Sequence, residues 1–538
     1  MAALSLGLAF RLWGILWGLP HAFNADEPHL VNLAVSFGGG SLRPYAFKYP
    51  SLWPYLLFVA YGFYFLIWSG FGLLHRVSEF AGYFGWHPGG FYLIGRLMSA
   101  AASLGAVFVV WRVERRERGV PWAALLIALS PAVVDVGRTL KPDSMMLLFC
   151  ALGWACALRV LDEGGRRPRL WCGLFFGLGF SSQFTALPAA LALPLAHFLS
   201  RKPKKTAWLL QGLAAFGAGF LIGTPYALLD FTRFRYWTGM HGIAATAALG
   251  DWSRAAVARD VAANLWNLGG PGSIAGLAAV VGLAAALRRD ARKAALLAPP
   301  IAAYVLVLSS FPDGGWPRYL LGVFPALAFL SAEGLSLCEG RERPLLVVLV
   351  LILALLPGAA RDGVEGARMS RPDTRQEAQD WIEARLPAQT GVLMDEPHAG
   401  PDLAMTKSEL EDLAARVKEA GSPRWRLFDA MARSHPGGGY RILRVARTAR
   451  DLGTYHPKQV ELSQADAPVV DVRPGLDFVR AQRVDYVLTS SYGADLSRAP
   501  ELSVFFSELE RQAPLEAVFT PVPGKIEGPA LRLYRLKP

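Results

Sequence analysis

The chain has 538 residues, of which 53% are hydrophobic and 12% are aromatic, and its formal net charge is +12 at pH 7. This hydrophobic fraction is gathered in long apolar runs over the first two-thirds of the chain, which excludes an ordinary soluble protein and predicts a polytopic membrane protein. The basic residues are spread along the chain instead of lying on one amphipathic face, so the positive charge does not indicate a nucleic-acid partner.

The apolar runs predict an α-helical membrane domain with about eleven spans. They cover residues 3–21, 92–111, 121–137, 144–161, 170–182, 184–200, 206–223, 271–287, 294–310, 319–337 and 344–360. The runs at 170–182 and 184–200 are short or broken, which favours a re-entrant pair around Ser181 to Gln183. Residues 45–74 are equally apolar, and we interpret them as helices in the outer interface, with a further span as the alternative.

Basic clusters alternate with pairs of these apolar runs. They occupy residues 112–118, 166–169, 201–205, 288–293 and 341–343. The positive-inside rule places all of these clusters on the cytoplasmic face. The opposite turns hold most of the remaining polar residues, so the sequence predicts that the chemistry lies on the outer side of the membrane.

The composition changes after Pro357 and Gly358, where charged residues become frequent. Helices are predicted at 374–386 and 408–420 and near residues 478 and 502, and strands at 391–395, 440–445, 486–489, 515–520 and 530–536. This succession favours a small α/β sandwich. We therefore divide the chain into a transmembrane catalytic domain, 1–360, and a soluble, exoplasmic (periplasmic) α/β domain, 361–538.

Several common signatures are missing from the sequence. The four cysteines lie in or beside predicted spans, so no disulfide framework is implied. The first apolar run has no small-residue cleavage site and should remain as a signal anchor. Neither a Walker A motif nor a GxGxxG motif opens a helix after a strand. An activated substrate would therefore reach the outer face through the bilayer, as a lipid-linked donor whose phosphate head requires nearby cations.

An acidic pair, Asp26 and Glu27, follows the first apolar run directly. Two carboxylates at the membrane surface are costly to desolvate, and their usual role is as a base, a metal ligand or an ion-pair partner. The alternative is a helix N-cap with a solvated neighbour.

Candidate cations lie in the other outer turns. Lys48 is enclosed by aromatic and proline residues, Arg138 and Lys141 precede Asp143, and Arg318 precedes Tyr319. Lys48 has the alternative of a snorkelling interfacial lysine, and Asp143 that of an N-cap. We expect Lys48 and Arg138 to face water and to contribute little packing energy.

In this order and with this sidedness, the motifs resemble the C-type membrane glycosyltransferases. The closest resemblance is to family 39, which includes the protein mannosyltransferases and the aminoarabinose transferases of lipid A. It is carried by Asp26-Glu27, Lys48-Tyr-Pro-Ser-Leu52, Gly95-Arg-Leu-Met-Ser99, the loop from Arg138 to Asp143, the segment from Gly223 to Asp230, Arg318-Tyr319 and the outer α/β domain.

The resemblance implies an inverting glycosyltransferase of the inner (plasma) membrane that moves a sugar from a polyisoprenyl-phosphate donor to a glycan, lipid or protein acceptor on the outer side. Asp26 or Glu27 would deprotonate the acceptor. The donor phosphate would be held by Lys48, Arg138, Lys141 and Arg318, and further substrate contacts would come from His29, Tyr49, Asp143, Tyr226 and Tyr319. Gln183 departs from the family, whose members often carry a lysine in that turn.

The resemblance requires no cofactor. A divalent ion held by Asp26, Glu27, His29 and Asp143 is left open, because these side chains offer an oxygen-rich ligand set. Membrane lipid is the expected environment, and no nucleic-acid partner is expected.

Two other classes compete with an enzyme. A lipid-linked sugar or small-solute transporter, or flippase, would also have many spans, but its charges should lie near the midplane of the membrane and its chain should show an inverted repeat. A receptor or scaffold that presents the outer domain would need neither the acidic pair nor the outer cations.

Overall fold

The computed structural model describes residues 2–21, 23–24, 26–115, 120–248, 253–339, 343–396, 399–419, 424–446, 468–493 and 500–536. The chain divides into two compact units. The first comprises Met1–Ile15, Arg43–Leu57 and Ile94–Ala367, and the second comprises Leu16–Leu42, Phe58–Leu93 and Arg368–Pro538. The division between 1–360 and 361–538 stays a prediction.

Helices dominate the chain up to residue 369. They are α1 (Ala2–Leu12), α2 (Glu27–Ser36), α3 (Leu52–Gly70), α4 (Val77–Trp86), α5 (Gly89–Glu114), α6 (Trp122–Ala128), α7 (Pro131–Arg138), α8 (Asp143–Asp162), α9 (Arg166–Ser182), α10 (Ala192–Leu199), α11 (Thr206–Gly223), α12 (Tyr226–Leu229), α13 (Phe231–Ala248), α14 (Arg254–Trp266), α15 (Ala275–Arg289), α16 (Ala291–Leu308), α17 (Phe324–Leu335) and α18 (Pro344–Met369). Short 3₁₀ helices cover Phe37–Gly39, Phe184–Leu191, Pro312–Gly315, Pro317–Leu320, Ser336–Cys338 and, later, Pro500–Leu502.

Six of these helices, α3, α5, α8, α11, α16 and α18, are long and apolar enough to cross a membrane. Shorter apolar helical stretches cover Ala3–Leu12, Phe184–Leu199 and Phe324–Cys338. The protein is therefore a polytopic α-helical membrane protein, as predicted, while the count of about eleven spans stays a prediction. The segment assigned to the interface contains α3, which by its length and composition fits the alternative of a further span.

Close backbone contacts between α9 and α11 shape the first unit. A Cβ atom on Gly173 would lie 1.8 Å from the carbonyl oxygen of Gly212, and one on Gly177 would lie 2.1 Å from that of Phe216. Only glycine fits at these two positions, because small residues let membrane helices approach closely. Elsewhere in this unit, the buried Trp154 of α8 donates from its indole nitrogen to the carbonyl oxygen of Gly322 at 3.0 Å.

The C-terminal part of the second unit is built on a six-stranded sheet. Its strands are β1 (Gly391–Met394), β2 (Arg441–Val445), β3 (Val469–Val470), β4 (Tyr486–Ser490), β5 (Leu515–Phe519) and β6 (Leu531–Arg535), and its helices are α19 (Thr374–Arg385), α20 (Lys407–Glu419), α21 (Trp425–Arg433), α22 (Leu476–Ala481) and α23 (Ser503–Gln512). The strand order is β3-β2-β1-β4-β6-β5. The first four strands in this order run parallel, and β6 is antiparallel to both β4 and β5.

Apolar residues cover both faces of this sheet. On one face, Val392 and Met394 of β1 share a buried cluster with Ile382 of α19. On the other face, Leu393 belongs to a cluster that includes Leu509 of α23. Alternate residues of a strand point to opposite faces, so β1 contributes to two cores. The predicted C-terminal α/β domain is confirmed. The helix α21 and the two-residue strand β3 were not predicted.

Candidate functional site

The two carboxylates of the acidic pair lie in different environments at the start of α2. Asp26 is the N-cap residue and is partly exposed, whereas Glu27, the first helical residue, is fully buried. Pro28 has the fixed φ that suits a first turn, and negative charge is favoured at this helix end. Within the part of the chain that the structure describes, the Asp26 side chain makes no capping hydrogen bond. Its carboxylate is therefore not explained by capping, which was the alternative interpretation.

The loop before the acidic pair is held by residues of the C-terminal region within the same compact unit. His21 Nδ1 lies 2.9 Å from a carboxylate oxygen of Asp402. The guanidinium of Arg375 lies 3.6 Å from the ring centroid of Phe23, and Asp373 fixes that guanidinium at 2.8 Å. The position of Asp26 thus depends on side chains about 350 to 380 residues away in the sequence. No local sequence signal could have revealed this support.

The helix α2 carries a second predicted site residue, His29. His29 is 5% exposed and Asn32, one turn later, is 4% exposed. Residues three apart lie on the same face of a helix. Asn32 was not predicted, although its spacing from His29 is a usable sequence signal.

In the first unit, the Lys48 segment meets two other predicted outer turns. Ser51 donates its backbone N–H to Thr224 Oγ1 at 3.2 Å, and the Ser181 and Thr224 hydroxyl oxygens are 2.6 Å apart. Lys48 is half-buried, and its ammonium lies 5.9 Å from the ring centroid of Tyr49. The resemblance motifs that contain Lys48 and Thr224 are therefore neighbours in space.

Gln183 lies beside this cluster and caps a helix. Its side-chain oxygen accepts a hydrogen bond from the backbone N–H of Phe184 at 3.1 Å, at the start of the 3₁₀ helix Phe184–Leu191. The break between the two predicted short spans thus has a local cause, because Ser182 ends α9 and this 3₁₀ helix begins directly after Gln183.

Arg43, Asp230 and Arg233 form a charged clamp near the Lys48 segment, in which two arginines contact one carboxylate. Arg43 donates to a carboxylate oxygen of Asp230 at 2.7 Å, and Arg233 lies 3.3 Å from that oxygen. Arg233 also donates to the carbonyl oxygen of Pro44 at 3.3 Å. The hydrogen bond from Arg43 lowers the pKa of Asp230 below its ordinary value. Tyr226, a predicted substrate contact, begins α12 within electrostatic range of Arg43.

Arg138 does not face water, and this expectation was wrong. It is 1% exposed, and its guanidinium donates to the carbonyl oxygens of Phe10 at 3.0 Å and Asp362 at 3.2 Å. Arg11, fully buried in α1, interacts electrostatically with both Arg138 and Asp362. Arg138 therefore helps to hold α1, α7 and α18 together, and its proposed contact with a phosphate stays a prediction.

The remaining predicted residues of this loop are also largely buried. Lys141 Nζ lies 3.9 Å from a carboxylate oxygen of Asp135, and the Lys141 backbone N–H donates to Ser99 Oγ at 3.2 Å. Asp143 is 1% exposed and is the first residue of α8, whereas Pro142 occupies the N-cap. The alternative interpretation, in which Asp143 is the N-cap, is therefore wrong, because the N-cap lies one residue earlier.

Arg318 and Tyr319 lie on the 3₁₀ helix Pro317–Leu320. The Arg318 guanidinium is 5.2 Å from the ring centroid of Tyr319 and 5.8 Å from that of Trp316. Both residues are half-buried. The guanidinium therefore lies within cation–π distance of two aromatic rings, which suits a cation that is partly removed from water.

The predicted residues divide between the units. Asp26, Glu27 and His29 belong to the second unit, whereas the predicted phosphate-binding cations belong to the first. The residues that the structure describes contain no group of three or more His, Cys, Asp or Glu side chains placed to hold a metal ion. The prediction of a divalent ion is therefore supported by the sequence alone.

The fold of the whole chain is similar to that of a solved structure. The crystal structure of ArnT from Cupriavidus metallidurans bound to undecaprenyl phosphate is similar to it, with a TM-score of 0.52, 14% sequence identity, and coverage of 99% of this chain and 97% of that chain. At this identity the similarity establishes the fold alone.

Sequence comparison matches part of the chain. Residues 92–222 match the family described as dolichyl-phosphate-mannose-protein mannosyltransferase. Over 123 residues the chain is 34% identical to YycA of Bacillus subtilis (strain 168), a protein to which mannosyltransferase activity is ascribed. This match covers 21% of the chain and spans 18% of that relative's length. Together, fold and sequence confirm the predicted resemblance to family 39.

Proposed function

We propose that the protein is an inverting glycosyltransferase that moves a sugar from a polyisoprenyl-phosphate donor to an acceptor outside the cytoplasm. The observation that carries this proposal is the pair of unlike carboxylates at the start of α2, where Asp26 is partly exposed and Glu27 is buried. A partly exposed carboxylate beside a buried one is an arrangement in which two acidic groups take different roles.

The proposed mechanism assigns the proton transfer to Asp26. Its carboxylate takes the proton of the acceptor group, which attacks the anomeric carbon of the sugar as the lipid phosphate departs from the opposite face. General-base assistance of this kind contributes about 10²–10⁴-fold to the rate. Glu27 acts as an orienting neighbour, since its burial keeps it away from the acceptor.

Negative charge collects on the departing phosphate, and fixed cations stabilise it. Lys48 and Arg318 suit this task best, because both are half-buried beside aromatic rings. Arg138 and Lys141 contribute to the local field, and their buried contacts favour a supporting role. The charged clamp of Arg43, Asp230 and Arg233 keeps the Lys48 loop in place.

The comparisons support the choice of substrates. The fold neighbour ArnT was crystallised with undecaprenyl phosphate, and the matched family is described by a dolichyl-phosphate-mannose donor. A polyprenyl-phosphate sugar is therefore the preferred donor, and a glycan, lipid or protein of the cell envelope the preferred acceptor. We place the protein in the inner membrane with its C-terminal α/β domain on the exoplasmic side, as the alternating basic clusters indicate.

Reconstitution tests the proposal against the transporter alternative. Purified protein in liposomes receives an undecaprenyl-phosphate sugar, radiolabelled in the sugar, together with an envelope extract as acceptor. A glycosyltransferase releases undecaprenyl phosphate and transfers the label to the acceptor, which protein-free liposomes do not. Movement of intact labelled lipid between leaflets without cleavage of the sugar–phosphate bond would instead support a flippase.

A further inference from the structure

The C-terminal sheet contains a crevice at the point where its strand order reverses. From β1 the chain continues through β2 to β3 on one side, and then returns to place β4 on the other side of β1. In open α/β sheets, ligands bind outside the carboxyl ends of the strands at such a reversal. Asp395 directly follows β1 and Ser490 ends β4, so both residues lie at this edge.

A cavity of about 380 Å³ opens at the same edge, within the range typical of small-ligand sites. Its wall on one side is a single face of α23, formed by Ser503, Ser507 and Glu510 at helical spacing. Phe505 of the same helix packs into the core of the domain, and Leu509 belongs to that core and also lines the cavity.

A buried carboxylate accepts the hydrogen bonds that fix the backbone at the floor of the cavity. Asp395 is 3% exposed, and one of its oxygens accepts hydrogen bonds from the backbone N–H of Ser490 at 2.7 Å and from the Ser490 hydroxyl at 3.3 Å. The Ser490 hydroxyl in turn accepts a bond from the backbone N–H of Gly493 at 2.9 Å. The end of β4 is therefore held in a fixed shape around polar groups, as a preformed site requires.

The charge of the lining does not favour an anionic ligand. Arg532 forms a salt bridge with Glu510 at 3.0 Å, so these two charges balance. The other charged lining residue is Asp395, and the lining therefore has no excess of positive charge. Phosphate and nucleotide sites need cations or a row of backbone N–H groups at a helix start. Nucleotides and free phosphate are therefore poor candidates.

The other lining groups match a polyhydroxy ligand. Serine and threonine hydroxyls both donate and accept hydrogen bonds, and Thr489, Ser491, Ser503 and Ser507 line the cavity. Ser490 also lines it, but its hydroxyl is already bonded to Asp395 and Gly493. The Phe506 and Tyr534 rings add apolar surface for a ligand with a C–H face. We propose that this cavity is a carbohydrate-binding site that takes one neutral sugar unit. It is independent of the proposed transfer reaction, since it uses neither the acidic pair nor the phosphate-binding cations.

Saturation-transfer NMR on the full-length protein tests this site. Lipid nanodiscs replace maltoside detergents, whose sugar heads would compete, and the probes are the methyl glycosides of mannose, glucose and galactose. We expect at least one probe to bind with a dissociation constant on the order of 1 mM, as ligand efficiency allows for so small a molecule. No saturation transfer from any of the three up to about 10 mM would overturn the proposal.

Two cavity-filling variants and one matched control, all on α23, localise the binding. Ser507→Trp fills the cavity from an exposed position and should weaken binding at least tenfold, and Ser503→Trp serves as a second filling variant. Val504→Trp introduces the same ring on α23 at a residue that is 65% exposed and does not line the cavity, and it should leave binding unchanged. Equal binding by Ser507→Trp, Ser503→Trp and Val504→Trp would overturn the assignment, as would AMP or inorganic phosphate displacing the glycoside.

Discussion

The residues of the predicted site differ in how much of their role and environment the sequence could predict. The acidic pair was recognisable because two adjacent carboxylates after an apolar run are rare and costly. The burial of Arg138 was not, since it depends on carbonyl oxygens of Phe10 and Asp362 that are distant in the sequence. A pattern of charges along the chain predicts the side of the membrane on which a residue lies, but it does not predict which carbonyl groups lie within its reach.

The two cations Lys48 and Arg138 should therefore respond differently to truncation. Lys48→Ala should weaken donor binding by about tenfold or more, the value of one charge-assisted hydrogen bond, with little change in melting temperature. Arg138→Ala should lower the melting temperature, because unsatisfied buried carbonyl groups cost about 1–3 kcal/mol each. Thermal unfolding and titration with undecaprenyl phosphate measure both effects. Unchanged donor affinity in Lys48→Ala would remove its phosphate role.

Glu409 should make stability depend on pH. Burial raises its pKa to about 7, against the hydrogen bonds with Thr406, which lower it. Because the pKa of this acid is higher in the folded state than in the unfolded state, its contribution to stability is present below the unfolded value and is lost as pH rises through about 7. Glu409→Gln should abolish this loss. Melting temperatures of both proteins between pH 5 and pH 8 check it, and parallel curves would contradict it.

At the scale of helices and strands, the sequence predicts elements best where local pattern and final packing agree. The strands β1, β2, β4, β5 and β6 follow apolar and β-branched runs bounded by turn residues, and they were predicted. The helix α21 was missed although its sequence carries a helical signal, since the buried residues Leu427, Phe428 and Ala432 recur at helical spacing. The strand β3 has only two residues, which is too short for any periodic pattern.

The contact between α9 and α11 gives the sharpest test at this scale. Gly173→Ala would place a methyl group 1.8 Å from the carbonyl oxygen of Gly212, so the helices must separate, at a cost of about 1–3 kcal/mol. Gly217→Ala in α11 is the matched control, since a Cβ there meets nothing within 4 Å. Thermal unfolding in the same detergent should show a lower melting temperature for Gly173→Ala only. Equal melting temperatures for the two variants would indicate that α9 and α11 lie further apart than described.

At the scale of the whole molecule, the central prediction is sidedness. The loops near residues 112, 166, 204, 289 and 341 should be cytoplasmic, and the domain after residue 360 should be exoplasmic. Single cysteines at the exposed positions 204 and 411, in a protein whose native cysteines Cys150, Cys156, Cys172 and Cys338 are replaced, allow labelling with an impermeant reagent. We expect labelling at 411 from outside and at 204 only after permeabilisation. The reverse pattern would contradict the topology and with it the proposed function.

The C-terminal domain has a structural connection to the acidic pair that the sequence did not reveal. Asp402 and Arg375 hold the residues just before Asp26, through His21 and Phe23. This domain therefore contributes to the candidate site. Within its compact unit it supports the loop on which the proposed base is placed.

Transfer by the Asp26→Asn variant tests the account most directly. The substitution keeps the size and hydrogen-bonding shape of the side chain but removes its negative charge. Membranes that contain equal amounts of wild-type, Asp26→Asn and Glu27→Gln protein receive a radiolabelled polyisoprenyl-phosphate sugar, and donor binding is measured in parallel. We predict that Asp26→Asn binds donor normally while its transfer falls by at least about 10²-fold, and that Glu27→Gln is less impaired. Near-normal transfer by Asp26→Asn would contradict the catalytic assignment.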